Sequence, residues 1–297
     1  VQHGESVVMR LLDQSAGLLT FDQTGMPEEL IRRFRHQITR PHGMVLVTGP
    51  TGSGKTTTLY AALSELNTAS KKIITVEDPV EYRLPRVNQV QISEKIDLSF
   101  SRVLRTALRQ DPDILMVGEM RDQETVEIGL RGALTGHLVL STLHTNDAIT
   151  SALRLMDMGA AGFLIGSSLR AIMAQRLVRL VCDQCSIDYE PDRQEKFWLK
   201  NLIGSSVDGV VFQQGVGCQS CSYTGYKGRI GVFELLEMNE PMMSALKREN
   251  AEEFSIQAKK NPNFKPLSLS AYDYAKAGVT TVEEVLKLVE TTDISGE

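Results

Sequence analysis

The chain has 297 residues, of which 42% are apolar, so it can bury one sizeable core and a second, smaller one. Lys and Arg number 32 against 37 for Asp and Glu, and the formal net charge of -5 argues against a nucleic-acid-binding surface, which needs clustered basic residues. The longest apolar runs, such as "MVLV" and "ILMV", are far shorter than the roughly 20 residues that a membrane span requires.

The chain opens on "VQHGESVVMRLLD", without a starting Met or a secretory leader, so we expect a cytosolic portion of a longer protein. From about residue 43 to residue 180, strand-like apolar runs alternate with amphipathic helical runs. The predicted strands are "GMVLVTG", "KIITVEDP", "ILMV" and "HLVLSTLH", and the predicted helices are "TTTLYAALSEL" and "FSRVLRTALRQ". This alternation predicts an α/β fold, in which helices cover both faces of a parallel sheet.

The segment "GPTGSGKT", residues 49–56, matches the phosphate-loop pattern G-x-x-x-x-G-K-[ST] between a predicted strand and a predicted helix. Its glycines let successive N–H groups point at phosphate oxygens, Lys55 can reach the β- and γ-phosphates, and the Thr56 hydroxyl can bind Mg²⁺. A glycine-rich turn without a ligand is the alternative, but the full match in this context predicts binding of a nucleoside triphosphate. The predicted nucleotide-binding residues are Gly49, Pro50, Thr51, Gly52, Ser53, Gly54, Lys55, Thr56 and Thr57.

The stretch "ILMVGEMRD" (114–122) begins with the predicted buried strand "ILMV". Nucleotide hydrolases often end such a strand with two acids, but here Gly118 stands where an aspartate is expected and only Glu119 remains. Either Glu119 is a surface residue after an ordinary core strand, or it orients or deprotonates the attacking water. In the second case another carboxylate must serve the magnesium ion, and "VEDPVEY" offers Glu77 as the candidate, with Asp78 and Glu81 beside it. A solvated acidic turn is the alternative for that cluster.

Two histidines, His137 and His144, flank the strand in "GHLVLSTLHTND". A lone histidine is usually structural or exposed, but two around a buried strand suggest a γ-phosphate sensor. His144 is the better candidate because it lies beyond the carboxyl end of the strand, where open α/β sheets bind their ligands.

Four blocks together resemble the motifs of the secretion ATPase superfamily. They are "GPTGSGKTT", "ITVEDPVEY", "LRQDPDILMVGEMRD" and "GALTGHLVLSTLHTND", similar to its phosphate loop, aspartate box, atypical second acidic motif and histidine box. Within it the chain resembles the assembly ATPases of type II secretion systems and type IV pili, and "GESVVMRLLDQSAGLLT" resembles those of mannose-sensitive haemagglutinin pili. The resemblance implies a RecA-like core and a catalytic Glu119, because the family shares the glycine at position 118.

The four cysteines form two C-x-x-C pairs, Cys182 with Cys185 and Cys218 with Cys221. Such pairs can enclose Zn²⁺ in a tetrahedral thiolate site, which would be structural because four cysteines leave no open position. Disulfides are the alternative, but a cytosolic chain keeps its thiols reduced. The resemblance includes a tetracysteine module here, which pilus retraction ATPases lack.

The resemblance also implies an organisation and an assembly. The expected parts are a remnant of a preceding domain (1–20), a linker (21–42), the ATPase core (43–180), the zinc module (181–232) and a C-terminal helical region (233–297). The family forms homo-hexamers with ATP sites between subunits, where arginines such as Arg10 complete a neighbour's site. The implied partners are an inner-membrane platform protein and a cytoplasmic docking protein, which would hold a cytoplasmic ATPase at the bacterial inner membrane.

Three functions are compatible with these motifs. The first is an ATPase motor that assembles pilins or pseudopilins. The second is a nucleic-acid motor on a related core, which the acidic charge balance disfavours. The third is a zinc-stabilised scaffold that binds nucleotide without turnover. The motifs favour the first.

Overall fold

The computed structural model describes residues 4–7 and 19–293. A seven-stranded sheet is built, in chain order, from β1 (Gly43–Thr48), β2 (Ile73–Glu77), β3 (Val87–Gln91), β4 (Ile114–Val117), β5 (Leu138–Leu143), β6 (Leu169–Val181) and β9 (Tyr226–Glu237). Their spatial order is β3-β2-β4-β5-β1-β6-β9, with the first six parallel and β9 antiparallel to β6. A second, two-stranded sheet pairs β7 (Ser186–Tyr189) with β8 (Phe212–Gly215). The predicted α/β class is confirmed.

Helices cover both faces of the large sheet. They are α1 (Glu28–Ile38), α2 (Lys55–Leu66), α3 (Phe100–Ala107), α4 (Gln123–Leu134), α5 (Ala148–Asp157), α6 (Gly162–Ser168), α7 (Arg193–Ile203), α8 (Glu240–Lys247), α9 (Ala251–Lys259), α10 (Leu267–Lys276) and α11 (Val282–Asp293). Side-chain caps fix where several begin: Asp122 accepts from the N–H of Thr125 at α4, and Asp147 accepts from that of Thr150 at α5.

Two hydrophobic clusters lie on opposite faces of the sheet, because successive strand residues point to opposite sides. In β1, Val45 and Val47 join the cluster under α1 and α2, whereas Met44 and Leu46 join the larger cluster under α3 to α6. Every residue of β1, β2, β4 and β5 is buried, as expected for parallel strands covered on both faces.

Some parts of the fold cross the divisions expected from the sequence. The segment 21–42 places Phe21, Phe34 and Ile38 in the cluster under α1 and α2. Strand β9 begins within 181–232, ends within 233–297 and belongs to the same sheet as the core strands. The domain bounds therefore stay a prediction. Among the described residues, no helix combines the length and the apolar character needed to cross a bilayer.

Candidate nucleotide and metal sites

The phosphate loop connects the carboxyl end of β1 to the first residue of α2, Lys55. Gly49, Gly52 and Gly54 have φ angles of 147°, 80° and 87°, which other residues rarely adopt. A side chain at position 49 is also excluded by space, because its Cβ would lie 2.4 Å from the carbonyl oxygen of Gln175 and 2.5 Å from Oγ of Ser53. These conformations turn the loop back over the N-terminus of α2, where backbone N–H groups have no helical partner.

Two side chains of the loop indicate that it fits a phosphate group. The ammonium of Lys55 donates to the carbonyl oxygens of Gly49 (2.8 Å) and Pro50 (3.0 Å), so it is folded against its own loop. Burial lowers the pKa of Lys55, and the charge of Arg176 lowers it further, while Glu119 acts in the opposite direction. The buried hydroxyl of Ser53 has no hydrogen-bond partner among the described residues. A phosphate oxygen would give Ser53 the acceptor it lacks and give Lys55 a charged one.

Glu119 and His144 lie together at the carboxyl ends of β4 and β5. The side chain of Glu119, 17% exposed, contacts the guanidinium of Arg121 through one oxygen and lies 3.5 Å from Nε2 of His144 through the other. Burial lowers the pKa of His144 and the charge of Lys55 lowers it further, whereas Glu119 raises it. Glu119, His144 and Lys55 are therefore close enough to influence each other's charge.

Hydrogen bonds between β4 and β5 hold these two strand ends in register. The hydroxyl of Ser141 donates to the carbonyl of Val117 (2.7 Å), and that of Thr142 donates to the carbonyl of Gly118 (2.7 Å). Strand β5 lies between β4 and β1, so the acidic strand does not flank the strand that carries the phosphate loop. Glu119 thus faces the loop across the end of β5.

Strand β2 comes close to the glycine in "ILMVGEMRD". A Cβ at position 118 would lie 3.2 Å from the carbonyl oxygen of Val76, which also accepts the Gly118 N–H at 2.7 Å. A side chain there would press on the neighbouring backbone, and a tightly packed interior tolerates this poorly. An aspartate at position 118 would therefore need the backbone of β2 to shift by a few tenths of an ångström.

Glu77 is the last residue of β2, and its side chain lies on the face of the sheet that α2 covers. It is 3% exposed, and its carboxylate accepts hydrogen bonds from Tyr60, from Thr75 and from Nε2 of Gln89 (3.1 Å). Burial and then the bond to Glu77 raise the pKa of Tyr60. The next residue, Asp78, instead lies 3.6 Å from the guanidinium of Arg121. The predicted magnesium-side role of Glu77 stays a prediction, and Asp78 is the acid that extends the Glu119 cluster.

His137, the other candidate histidine, lies apart from this cluster. His137 precedes β5 and His144 follows it, so the two histidines lie at opposite ends of this strand. Nδ1 of His137 lies 2.9 Å from the carbonyl oxygen of Gly132. Arg10 lies outside the described residues.

The four cysteines converge from two loops of the small sheet. Cys182 follows β6 directly and Cys185 precedes β7, whereas Cys218 and Cys221 follow β8. All four are free thiols, and their sulfur atoms lie within 4.8 Å of one another. The shortest separations are 3.8 Å and 3.9 Å. Zn–S bonds of about 2.3 Å in a tetrahedron give S–S distances of about 3.8 Å, so the cluster fits the predicted ion.

Backbone donors around the cysteines favour thiolates. The N–H groups of Cys218 and Gly225 point at the sulfur of Cys221 (3.2 and 3.3 Å), and the bond from Cys218 is the main cause that lowers the pKa of Cys221 to about 6. The N–H of Gly217 points at Cys185, 3.3 Å away, although burial raises the pKa of that thiol. Four thiolates this close repel each other, and a divalent cation removes the repulsion.

Gln175 is a polar residue of the phosphate-loop region that the motif analysis missed. It lies on β6, is 2% exposed, and its amide contacts Ser53 and Thr58. No short motif marks it. A glutamine and an arginine inside the otherwise apolar run "AIMAQRLV" were the available signal, because buried polar side chains need defined partners.

Comparison with known proteins identifies the family. The family model described as "Type II/IV secretion system protein" matches residues 1–287. The type II secretion system ATPase E of Vibrio cholerae is 43% identical over 97% of the chain and 56% of its own length. A type II secretion system protein E of Pseudomonas aeruginosa is 46% identical over 96% of the chain and 56% of its own length. The chain therefore spans about half the length of the curated relatives it matches.

Solved structures show the same fold. The pilus retraction motor PilT with bound ADP aligns over 94% of this chain and 68% of its own, with a TM-score of 0.69 and 30% identity. The ATPase DotB of Legionella pneumophila aligns over 92% of this chain and 66% of its own, with a TM-score of 0.67 and 23% identity.

Proposed function

This chain belongs to the type II/IV secretion system protein family, and from that membership we propose that it is the ATP-hydrolysing region of a motor that assembles a type IV pilus or a type II secretion pseudopilus. The observation that supports the proposal most directly is the convergence of Lys55, Glu119 and His144 at the phosphate loop. A cation for the phosphates, a carboxylate for the attacking water and a polar sensor are the groups that phosphoryl transfer requires.

In this proposal the loop residues 49–57 hold the triphosphate of ATP. Lys55 leaves the carbonyls of Gly49 and Pro50 and donates to the β- and γ-phosphates instead. Thr56 would hold Mg²⁺, with Glu77 as the expected carboxylate partner, and the ion would neutralise charge on the phosphates. Ser53 donates its unpaired hydroxyl to a phosphate oxygen.

Glu119 is the proposed base for hydrolysis. Its carboxylate is mostly buried and oriented by Arg121 and His144, so it can accept a proton from the water that attacks the γ-phosphate. His144 is neutral above its lowered pKa and can therefore either donate to a phosphate oxygen or accept from the water. Loss of the γ-phosphate changes its contacts, which is the basis of the proposed sensor role.

The four cysteines hold a structural zinc ion in this proposal. The two-stranded sheet beside them is small, with four residues in each of β7 and β8. A metal ion supplies the stability that so small a segment lacks.

The working unit is a homo-hexamer in which Arg10 of one subunit completes the site of its neighbour. An arginine supplied in this way can raise the hydrolysis rate by several powers of ten. The hexamer acts with an inner-membrane platform protein and a cytoplasmic docking protein, and is thereby held at the cytoplasmic side of the inner membrane. Turnover per subunit that rises with protein concentration would support this assembly, and turnover independent of concentration and of Arg10 would contradict it.

The test of the proposed function is phosphate release from Mg·ATP by the purified chain, with calorimetric titration of nucleotide in parallel. We expect saturable binding and slow hydrolysis. Binding without any turnover, even by assembled hexamers, would favour the nucleotide-binding scaffold instead. Strong stimulation by DNA would favour a nucleic-acid motor.

A further inference from the structure

The side chain of Gln175 connects strand β6 to both parts of the phosphate-loop unit. Its Nε2 donates to the carbonyl oxygen of Ser53 in the loop (2.7 Å), and its Oε1 accepts from the hydroxyl of Thr58 in α2 (2.8 Å). Ser53 offers only an acceptor at that atom, so the amide has one satisfactory orientation. Gln175 and Thr58 are 2% and 1% exposed, so water does not compete for these bonds.

The backbone of the loop also packs on Gln175 at its first and last glycines. A Cβ at Gly49 would lie 2.4 Å from the Gln175 carbonyl oxygen, and one at Gly54 would lie 3.2 Å from its Nε2. Glycines with left-handed φ angles have few conformational limits of their own. The bonds of Lys55 to Gly49 and Pro50 hold the loop from within, and Gln175 adds contacts from outside it.

The bond to Ser53 fixes the direction of one N–H group. In a planar trans peptide the carbonyl and the following N–H point in opposite directions. Because the carbonyl of Ser53 points at Gln175, the N–H of Gly54 points away from β6. Rotation of the peptide between Ser53 and Gly54 would reverse the direction of that N–H. The phosphate loop needs the original direction to bind an anion.

The neighbouring residue on β6 contacts the other side of the site. Arg176 points to the opposite face of the sheet and donates to Oδ1 of Asn146 (2.8 Å), two residues after His144. One strand thus contacts both the loop that carries Lys55 and the loop that carries His144.

We propose that Gln175 is a positioning residue that presets the phosphate loop for nucleotide before the nucleotide arrives. The inference rests on the proposed function, since it assigns Gln175 to the same nucleotide site. A preset loop loses less conformational entropy when nucleotide binds. Removing the contacts of Gln175 should therefore weaken nucleotide binding. Bound phosphate can itself reorder the loop, so hydrolysis at saturation should suffer less than affinity.

The experiment compares the parent with Gln175→Met, which keeps the length of the side chain and removes both hydrogen bonds. We expect the Kd for Mg·ADP and the KM for ATP to rise about tenfold, with kcat changed by less than about threefold. Met173→Ala is the matched control, because Met173 is buried on the same face of β6 and contributes to the cluster under α1 and α2. It should lower the Tm through a cavity, but leave the Kd and the KM unchanged.

Thr58→Val, alone and combined with Gln175→Met, tests whether the two side chains act together. Thr58→Val should raise the Kd modestly in the parent and add nothing in the Gln175→Met background, because the bond is already absent there. A Gln175→Met protein with the parental Kd and KM, whatever its Tm, would overturn the inference. A parent that binds no nucleotide would instead overturn the proposed function.

Discussion

The carboxylate of Glu119 lies 3.5 Å from Nε2 of His144, and the two residues extend from neighbouring strands, β4 and β5. The charge of Lys55 acts on both groups. The proposed base and the proposed phosphate sensor are therefore electrostatically coupled, and a phosphate that draws Lys55 away from its loop changes the field at both.

Lys55→Ala and Glu119→Gln should separate binding from hydrolysis. Removing the ammonium eliminates a charge-assisted contact to phosphate, so Lys55→Ala should weaken nucleotide binding about 10- to 100-fold. Glu119→Gln keeps the shape but cannot accept the proton, so it should retain binding and lower kcat about 10²- to 10⁴-fold. Titration calorimetry and phosphate release measure the two effects. Glu124→Gln, an exposed glutamate paired with Arg105, is the control, and parental turnover in Glu119→Gln would remove this residue from the mechanism.

The titration of His144 should respond in opposite directions to its two charged neighbours. Its pKa lies below the usual 6.5 because of burial and then Lys55, and Glu119 partly offsets this. Lys55→Ala should therefore raise the pKa, whereas Glu119→Gln should lower it further. NMR titration of the imidazole between pH 4 and 8 measures both shifts. Shifts of the same sign would mean that the three groups do not interact as the geometry indicates.

Purified chain should contain about one zinc ion, because four thiolates satisfy a tetrahedral site. Cys182→Ser should lose the metal and unfold the segment between β6 and β9, while the phosphate loop still binds nucleotide. Elemental analysis and limited proteolysis detect the two effects. The control is Gln219→Ala, an exposed position between Cys218 and Cys221. Metal-free protein with four titratable thiols after chelator-free purification would count against the site.

Glu77→Gln tests the expected magnesium-side role of that carboxylate. At fixed ATP, we expect the Mg²⁺ concentration for half-maximal hydrolysis to rise about tenfold, since a carboxylate partner becomes neutral. Tyr60→Phe removes one donor to Glu77 and should lower the Tm without moving the Mg²⁺ dependence. An unchanged Mg²⁺ dependence in Glu77→Gln would mean that Glu77 serves only the buried hydrogen bonds under α2.

Glu234 should make stability depend on pH. Its buried carboxylate accepts the N–H of Ala148 (2.7 Å) and of Leu267 (2.8 Å), at the starts of α5 and α10, and burial raises its pKa from 4.5 to about 7. The protonated form is therefore favoured in the folded state. The contribution of protonated Glu234 to the free energy of unfolding is fully present below pH 4.5 and is lost as the pH rises through about 7. The change is on the order of 3 kcal/mol.

Denaturant unfolding of the parent and of Glu234→Gln between pH 4.5 and 8 measures this contribution. Because glutamine does not titrate, the free energy of unfolding of the variant relative to the parent should increase with pH over this range. A difference that is constant with pH would show that Glu234 does not titrate there.

The sequence by itself determined the elements whose geometry is local. The phosphate loop occupies eight consecutive residues, and the φ angles it needs are supplied by glycines within that segment. Strands β1, β2, β4 and β5 and helices α2 and α3 follow from the spacing of apolar residues, whereas β3 and α4 were not predicted. The paired C-x-x-C segments already carry the four candidate metal ligands. In each case the interacting groups are close in sequence or belong to a repeating pattern.

Only the tertiary structure decided which of these elements meet. The insertion of β5 between β1 and β4, the burial of Glu77 under α2 and the contact of Gln175 with Ser53 all join residues far apart in the chain. Such contacts depend on strand order and on which face of the sheet each helix covers. The spacing of apolar residues shows that a strand is buried, but it does not specify its neighbours, because strand order is fixed by the packing of the whole core.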